Sequence, residues 1–209
     1  MSHKNRYLTK SRFKLALECP TKLFYSGHPK DYYDRNSDND FLQALADGGY
    51  QIGELAKFKY HPDPIGASIT IESLDHAEAL RDTQTRLAAT GLVVIAEAAL
   101  NYQSYFVRVD ILIRDESAKT IDLIEVKSKS VDGETVINRF KGAKGNYKPK
   151  WVPYLYDVAF QTAVAKRAFP DYTIRPKLVL IDSEAVCDVD GLQHKFKIVQ
   201  MEGDNGRQR

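Results

Sequence analysis

Two neighbouring strand-like segments constrain this chain more than any other feature of its sequence. Residues 106–113 read Phe-Val-Arg-Val-Asp-Ile-Leu-Ile, residues 121–127 read Ile-Asp-Leu-Ile-Glu-Val-Lys, and the polar stretch between them has the length of a hairpin turn. With the turn near the middle of that stretch, Asp110 faces Glu125, and Lys127 projects from the same face two residues further on. The pattern therefore predicts an antiparallel hairpin with one apolar face and one face that holds two carboxylates and an ammonium.

Two explanations fit these three charged residues. Burying them costs several kcal/mol unless something pairs with them. Carboxylates on adjacent strands suit Mg²⁺ or Mn²⁺, and a lysine beside the metal can help to deprotonate water and neutralise developing charge. On spacing alone, an exposed ion pair of Lys127 with Asp110 or Glu125, worth about 0.2–1 kcal/mol, explains them equally well.

The composition allows one domain with a substantial core. The chain has 209 residues, of which 43% are hydrophobic and 28% charged, which is ordinary for a globular protein. A net charge of +2 means that attraction to phosphate must come from local clusters. Two cysteines, a polar N-terminus and the shortness of the longest apolar stretch, residues 92–100, predict a cytoplasmic protein without a membrane partner.

Capping residues and apolar periodicity predict the remaining elements. Helices are predicted from Thr9 or Ser11 to Glu18 and over residues 40–57, 73–90 and 153–169. Strands are predicted over residues 65–71, 92–102, 177–182 and 194–201, and residues 131–152 are expected to be irregular. The core order αβββαβ, with a parallel strand–helix–strand return, predicts an α/β fold with a mixed sheet flanked by helices, in a single domain over residues 1–209.

Six short segments, in order, resemble the RecB-like branch of the PD-(D/E)XK nucleases. That branch includes the CRISPR-associated RecB-type exonucleases and a bacterial domain family of unknown function. The segments are Tyr-Leu-Thr-Lys-Ser-Arg-Phe-Lys-Leu-Ala-Leu-Glu-Cys-Pro at 7–20, Gly-Glu-Leu-Ala at 53–56, Ala-Glu-Ala-Ala at 96–99, Val-Arg-Val-Asp-Ile-Leu at 107–112, Leu-Ile-Glu-Val-Lys-Ser at 123–128 and Asp-Val-Ala-Phe-Gln at 157–161.

The resemblance implies a restriction-endonuclease-like catalytic core over residues 92–182, preceded by an N-terminal helical part over residues 7–60. It implies that Asp110 and Glu125 bind Mg²⁺ or Mn²⁺, that Lys127 is catalytic, and that a helix glutamine contacts the substrate or the water at the metal. This is Gln161, which shares a helix face with Asp157, four residues earlier. We expect that face to meet the charged side of the hairpin. The alternatives are a surface amide for Gln161 and a helix-dipole partner for Asp157.

Two further glutamates are candidate metal ligands. Glu54 matches an early helix position that supplies an additional metal contact in the family, and a solvated helix glutamate explains it nearly as well. Glu97 interrupts an apolar strand, as expected for a residue buried near the metal or for one exposed on an edge strand. Cys19 matches a cysteine that joins three later ones around an iron–sulfur cluster in the CRISPR-associated relatives. Only Cys187 follows it, so we expect no such cluster here and a small buried apolar role for Cys19.

Basic residues interleaved with aromatic ones lie between the hairpin and the glutamine helix. They suit a phosphate backbone and stacked bases, although a solvated flexible loop explains them as well. These candidate nucleic-acid-binding residues are Arg139, Lys141, Lys144, Tyr147, Lys148, Lys150 and Trp151. A second basic group that could extend the same channel comprises Arg6, Lys10, Arg12, Lys14 and Lys22.

The leading interpretation is a metal-dependent nuclease that hydrolyses DNA phosphodiester bonds. The site has carboxylate ligands and a cation but no covalent nucleophile, which favours metal-assisted hydrolysis. The resemblance implies a role in DNA repair, recombination or defence. The rival interpretation is a catalytically silent DNA-binding or accessory module of a larger complex. The choice between DNA and RNA, between end and internal cleavage, and between single and double strands stays open.

Overall fold

The structure is a computed structural model that describes residues 7–33, 40–63, 65–132, 140–186 and 188–191. Within the helix that begins at Asp40, it describes side chains from residue 48 onward. The predicted strand at residues 194–201 lies outside these ranges. No helix in the described ranges combines the length and the apolar character needed to cross a bilayer.

In the described ranges, four helices lie close to their predicted positions, and a further short helix follows the first of them. The helices are α1 (Lys10–Glu18), α2 (Pro20–Ser26), α3 (Asp40–Tyr60), α4 (His76–Leu87) and α5 (Val152–Ala168). The Thr9 hydroxyl accepts from the Arg12 amide at 3.4 Å, as an N-cap does. Helix α4 begins three residues later than predicted because its N-cap is Asp75, whose carboxylate accepts from the amides of Ala77 and Glu78 at 3.0 Å each.

The strands form one mixed sheet in the predicted order. They are β1 (Leu8–Thr9), β2 (Leu92–Tyr102), β3 (Tyr105–Asp115), β4 (Thr120–Val131) and β5 (Thr173–Asp182). Strand β3 pairs antiparallel with β2 and β4, whereas β1 joins β3 and β5 joins β4 in parallel. Strand β5 begins four residues before its prediction because it lies at the sheet edge, where Pro176 is tolerated. Residues 65–71 form only an isolated bridge, between Thr70 and Ala96.

The predicted hairpin register is confirmed up to the position of the charged residues. Ile111 pairs with Ile124, and the ladder continues from there to the turn. Beyond Ile111 the two strands separate, and the Asp110 carboxylate accepts from the Val126 amide at 2.7 Å instead. Because β2 occupies one edge of β3 along its whole length, β1 and β4 share the other edge at different ends. A gap therefore lies between β1 and β4, beside Asp110.

Helices cover both faces of the sheet next to this gap. Leu112 and Leu123 belong to the larger apolar cluster, which includes Phe160 of α5. Ile111 and Ile124 belong to a smaller cluster that includes Ala56 of α3. Successive strand residues point to opposite faces, so α5 packs on the face of Glu125 and α3 on the other face.

Candidate functional site

The Glu125 carboxylate is the centre of a buried polar cluster. Its side chain is only 1% exposed, and it lies where β4 separates from β3. The ammonium of Lys10 lies 2.8 Å from Oε1 and 3.0 Å from Oε2. Lys127 donates to Oε1, and the Gln161 amide donates to Oε2. Burial raises the pKa of Glu125, but the charges of Lys10 and Lys127 outweigh burial and leave its pKa lowered.

Lys10 reaches this cluster because of where its helix begins. Strand β1 pairs with β3 at Tyr105 and Phe106, and α1 starts immediately afterwards with Lys10 as its first residue. The side chain thus enters the gap between β1 and β4. Burial lowers the pKa of Lys10, but attraction to Glu125 and Asp110 outweighs it, so the pKa is raised. Lys10 is therefore a charged counter-ion of the two carboxylates.

Asp110 is the least neutralised carboxylate of the cluster. Burial, followed by the negative charge of Glu125, raises the pKa of Asp110 to about 6. Its Oδ2 accepts from the Val126 amide, and within the described residues its Oδ1 has no hydrogen bond. A shifted carboxyl with an uncommitted oxygen at the edge of a cleft is typical of a functional site.

Helix α5 brings two further polar groups to the cluster, as its i, i+4 spacing predicts. Asp157 is fully buried and Gln161 is 1% exposed. The Asp157 Oδ2 lies 3.3 Å from the Lys14 ammonium and 3.6 Å from that of Lys127. Its Oδ1 is buried without a hydrogen-bond partner among the described residues. Lys127 is thus held between two carboxylates, from β4 and α5, and Gln161 is not a surface amide.

A cleft of about 890 Å³ opens beside Asp110 and Lys127, between α3 and the sheet. We call it the α3 cleft. Both additional metal-ligand candidates, Glu54 and Glu97, line it. Each makes an ion pair, Glu54 with Lys57 at 2.7 Å and Glu97 with Arg108 at 3.3 Å. Glu54 and Glu97 therefore line the same cleft as Asp110, but each is paired with a basic side chain.

The backbone at Glu97 departs from a regular strand. Its φ is +56°, a left-handed conformation that costs energy for a residue with a side chain. Its neighbours Ala96 and Ala98 keep their pairing with Ile111 and Val109. Such strain is concentrated at functional sites in proteins. Glu97, which lies opposite Asp110 in this register, is therefore oriented by a local distortion that the apolar pattern of β2 does not reveal.

The donor set fits a hard divalent cation, although lysines now bind one of the carboxylates. In the described ranges, no three His, Cys, Asp or Glu side chains already lie close enough together to hold an ion. However, the Asp110 Oδ1 makes no hydrogen bond to any described residue, and burial together with repulsion from Glu125 raises the pKa of Asp110. An oxygen-seeking cation would relieve that repulsion. Asp110 and Glu125 are the residues that could hold it, with Glu54 and Glu97 on the same cleft.

The basic loop before α5 only partly matches its expected role. Lys141, Lys144, Tyr147 and Lys150 are exposed, and the Lys141 ammonium lies 5.9 Å from the centre of the Tyr147 ring. Trp151 is only 2% exposed. A buried indole has no free face on which a base can stack, so the stacking role predicted for Trp151 is wrong. Lys148 is half-buried, and Arg139 lies outside the described residues.

Two other expectations change once the structure is known. Cys19 is half-buried rather than buried, and it lies between α1 and α2; Cys187 is outside the described residues.

Lys10 and Lys14 were predicted as parts of a basic channel, but they contact Glu125 and Asp157. Only the Asp157–Gln161 spacing signalled this arrangement in the sequence. Lys10 lies 115 positions from Glu125, and no local pattern connects them.

Comparisons with protein-family models, curated proteins and solved structures give no significant match for this chain.

Proposed function

We propose that this chain is a divalent-metal-dependent nuclease with a RecB-like PD-(D/E)XK core. The observation that carries the proposal is the convergence of Asp110, Glu125, Lys127 and Gln161 at the point where β3 and β4 separate. These are the four residues that the resemblance marks as catalytic. They come from three elements and meet beside a cleft large enough for a nucleotide.

Asp110 and Glu125 would hold Mg²⁺ or Mn²⁺, with Glu54 and Glu97 as further oxygen donors. Such an ion, when bound, supplies a coordinated water of lowered pKa and a positive charge next to the scissile phosphate. For Glu125 to bind it, Lys10 or Lys127 must give up a carboxylate oxygen. Both ammoniums would then lie next to the bound phosphate, where positive charge stabilises the transition state.

The remaining residues hold this arrangement in place. Asp157 keeps the Lys127 ammonium near the site from the side of α5. Gln161 fixes the orientation of the Glu125 carboxylate through its amide. Burial of both side chains excludes water, which strengthens every charge interaction in the cluster. The cluster is thus preorganised around the position that the reacting phosphate would occupy.

A cleavage assay with matched substrates tests the proposal. End-labelled and circular DNA, single- and double-stranded, and RNA of the same sequence would be incubated with Mn²⁺, Mg²⁺ or EDTA. We expect cutting that requires metal and is lost in Lys127→Ala, while Lys166→Ala, an exposed lysine at the far end of α5, cuts like the wild type. Intact circular substrate would indicate an exonuclease. No product with any metal, from a folded protein, would refute the proposal.

One observation favours a catalytically silent nucleic-acid-binding module instead. Both Glu125 oxygens are already satisfied by Lys10, Lys127 and Gln161, so the cluster can be stable without a metal. Tight retention of DNA with no product, together with no Mn²⁺ uptake in calorimetry, would support this second function. Such a module would act within a larger complex.

A further inference from the structure

We propose that the end of β4 and the start of α5 form a binding site for a phosphate group of the substrate strand. The site is a second cleft, of about 430 Å³, lined by Lys129, Ser130, Asp132, Lys148, Lys150 and Trp151, among others. We call it the lysine cleft. The inference rests on the proposed nuclease function for the identity of the strand, but its physical basis is separate from the carboxylate cluster.

Charge gives the first argument. Three lysines line the lysine cleft, against one carboxylate, that of Asp132. In the part of the chain that the structure describes, the ammoniums of Lys129 and Lys150 contact an aromatic ring and make no ion pair. Ammonium groups that outnumber the carboxylates at one cleft repel each other, and a phosphate would reduce that repulsion.

Trp151 gives the second argument. The Lys129 and Lys150 ammoniums lie 5.6 and 5.7 Å from the centre of its ring. The indole is 2% exposed, and its Nε1–H has no hydrogen-bond partner among the described residues. A buried donor without a partner costs about 1–3 kcal/mol. An anion in the cleft that Trp151 lines is the kind of group that would satisfy such a donor.

Position relates this cleft to the candidate active site. Lys129 follows Lys127 by two residues on β4, in the stretch where the pairing of β4 with β5 shifts register, and its ammonium lies over the ring of Trp151. Trp151 immediately precedes α5, which supplies Asp157 and Gln161 to the carboxylate cluster. The two elements that build the active site thus also build the lysine cleft. A strand with one phosphate at the carboxylates would place a neighbouring phosphate near Lys129 and Lys150.

This arrangement assigns a different surface to each part of the substrate. The α3 cleft carries four carboxylates beside three cations, Lys57, Arg108 and Lys127, and two of these cations are paired with Glu54 and Glu97. The lysine cleft instead carries three lysines and one carboxylate, that of Asp132. We therefore expect the backbone to follow the lysine cleft, with Trp151 contributing a hydrogen bond and support for the ammoniums rather than a stacking surface.

Trp151 also makes the test direct, because it is the only tryptophan in the chain. The full-length protein in EDTA would be titrated with a single-stranded oligonucleotide, and separately with inorganic phosphate and pyrophosphate, while its tryptophan fluorescence is recorded. Anisotropy of a labelled oligonucleotide over a series of NaCl concentrations gives the affinity and its salt dependence.

We expect Lys129→Ala and Lys150→Ala each to weaken oligonucleotide binding about three- to tenfold and to reduce the salt slope by about 0.7. Lys150→Arg should retain most of the affinity, because the charge remains, and Lys166→Ala should behave as wild type. Circular dichroism of each variant shows whether it is folded. Pyrophosphate should compete with the oligonucleotide for the fluorescence change.

Folded variants with wild-type affinity and salt slope would overturn the inference, whether or not the protein cuts DNA. A fluorescence response to pyrophosphate with which the oligonucleotide does not compete would overturn the assignment to the strand. Conversely, normal effects of Lys129→Ala and Lys150→Ala in a protein that never cleaves would leave the phosphate site intact and refute only the nuclease proposal. The two failures are therefore distinguishable.

Discussion

The two ends of the β3–β4 hairpin both bury charge, but they treat it differently. At the turn end, Arg114 is 2% exposed. Its terminal nitrogens donate to the carbonyls of Leu87, Ala89 and Gly91 and to the Glu116 carboxylate. At the site end, one Asp110 oxygen has no hydrogen-bond partner in the described part of the chain, and the pKa of Asp110 is raised to about 6. A buried charge that donates to several backbone carbonyls holds the fold together, whereas a half-buried carboxyl with a raised pKa beside a cleft indicates a site.

Carboxylates on one strand show the same contrast. Asp122 of β4 pairs with Arg175 and Lys177. Three residues on, Glu125 is held by lysines from two elements and by a helix amide. The side chains of Arg175 and Lys177 are about half exposed, and ion pairs at the surface contribute about 0–1 kcal/mol. The second set is buried, so its charges interact strongly and its removal should matter far more.

The sharpest test of this contrast compares Glu125→Gln with Asp122→Asn. Glu125→Gln should lower metal-dependent cleavage by about 10²–10³-fold, the size of effect seen when one charge-stabilising group is removed from an active site. Asp122→Asn should leave the cleavage rate unchanged. Single-turnover assays on one DNA substrate measure both. Equal rates for the two variants would mean that the site end has no special role.

The turn end should instead determine stability. Arg114→Met removes the donors to three carbonyls and to Glu116, and we expect the free energy of unfolding to fall by about 2–3 kcal/mol, since hydrogen bonds from a charged donor are among the stronger ones. Urea denaturation measures the change. The control is Arg175→Met, an exposed arginine whose loss should cost less than about 1 kcal/mol. A larger loss for Arg175→Met than for Arg114→Met would reverse our interpretation.

The pH dependence of stability should have opposite signs for the carboxyls at the site end and the turn end of the hairpin. The folded protein binds the Asp110 proton more tightly than the unfolded chain, with a pKa of about 6 against 3.8. Stability is therefore lost as the pH rises from about 4 through 6. Asp110→Asn removes this loss, so at neutral pH, in EDTA, it should be more stable than the wild type by up to about 3 kcal/mol.

Asp115 at the turn end supplies the matched control. Its carboxylate accepts from the amides of Ala118 and Ser117, and these hydrogen bonds, led by that from Ala118, lower its pKa. Its stabilising contribution is present above its ordinary pKa and is lost as the pH falls. Asp115→Asn should therefore be less stable than the wild type at neutral pH, and the difference should shrink on acidification. Urea titrations of both variants across this pH range measure the two changes in stability. Changes of equal sign would contradict the assignment.

The smallest expected effect concerns the counter-ion Lys10. If its ammonium competes with a metal for Glu125, Lys10→Met should tighten Mn²⁺ binding about tenfold, equivalent to 1.4 kcal/mol. The free energy of unfolding in EDTA should fall at the same time, because a buried carboxylate loses a partner. Calorimetry measures the affinity. Lys119→Met at the turn end should leave it unchanged, and weaker Mn²⁺ binding in Lys10→Met would exclude competition.

Much of the fold was predictable because its signals are local. The hairpin register follows from a two-residue alternation that any slip would invert. Thr9 and Pro153 mark helix starts through capping and a fixed backbone angle. The start of α4 was predicted less well because Ser73 and Asp75 both resemble caps, and only Asp75 has the geometry to bond two helix amides.

Trp151 shows why burial limits such predictions. Two lysines and two prolines lie within three residues of it, and they indicate an exposed loop. Yet its ring packs 4.8 Å from that of Phe140 and 5.9 Å from that of Tyr154. Burial of a large side chain depends on surfaces brought together by other segments, which composition does not specify.

The sequence by itself determined that Glu125 and Lys127 share a face, that Asp110 lies beside them, and that Gln161 lies on one helix face with Asp157. These relations follow from fixed backbone periods over short distances. Only the tertiary structure decided that β1 and β4 share an edge of β3, and that Lys10 enters the gap between them. The physical reason is that this contact joins residues 115 positions apart, whose meeting depends on how the sheet and helices pack.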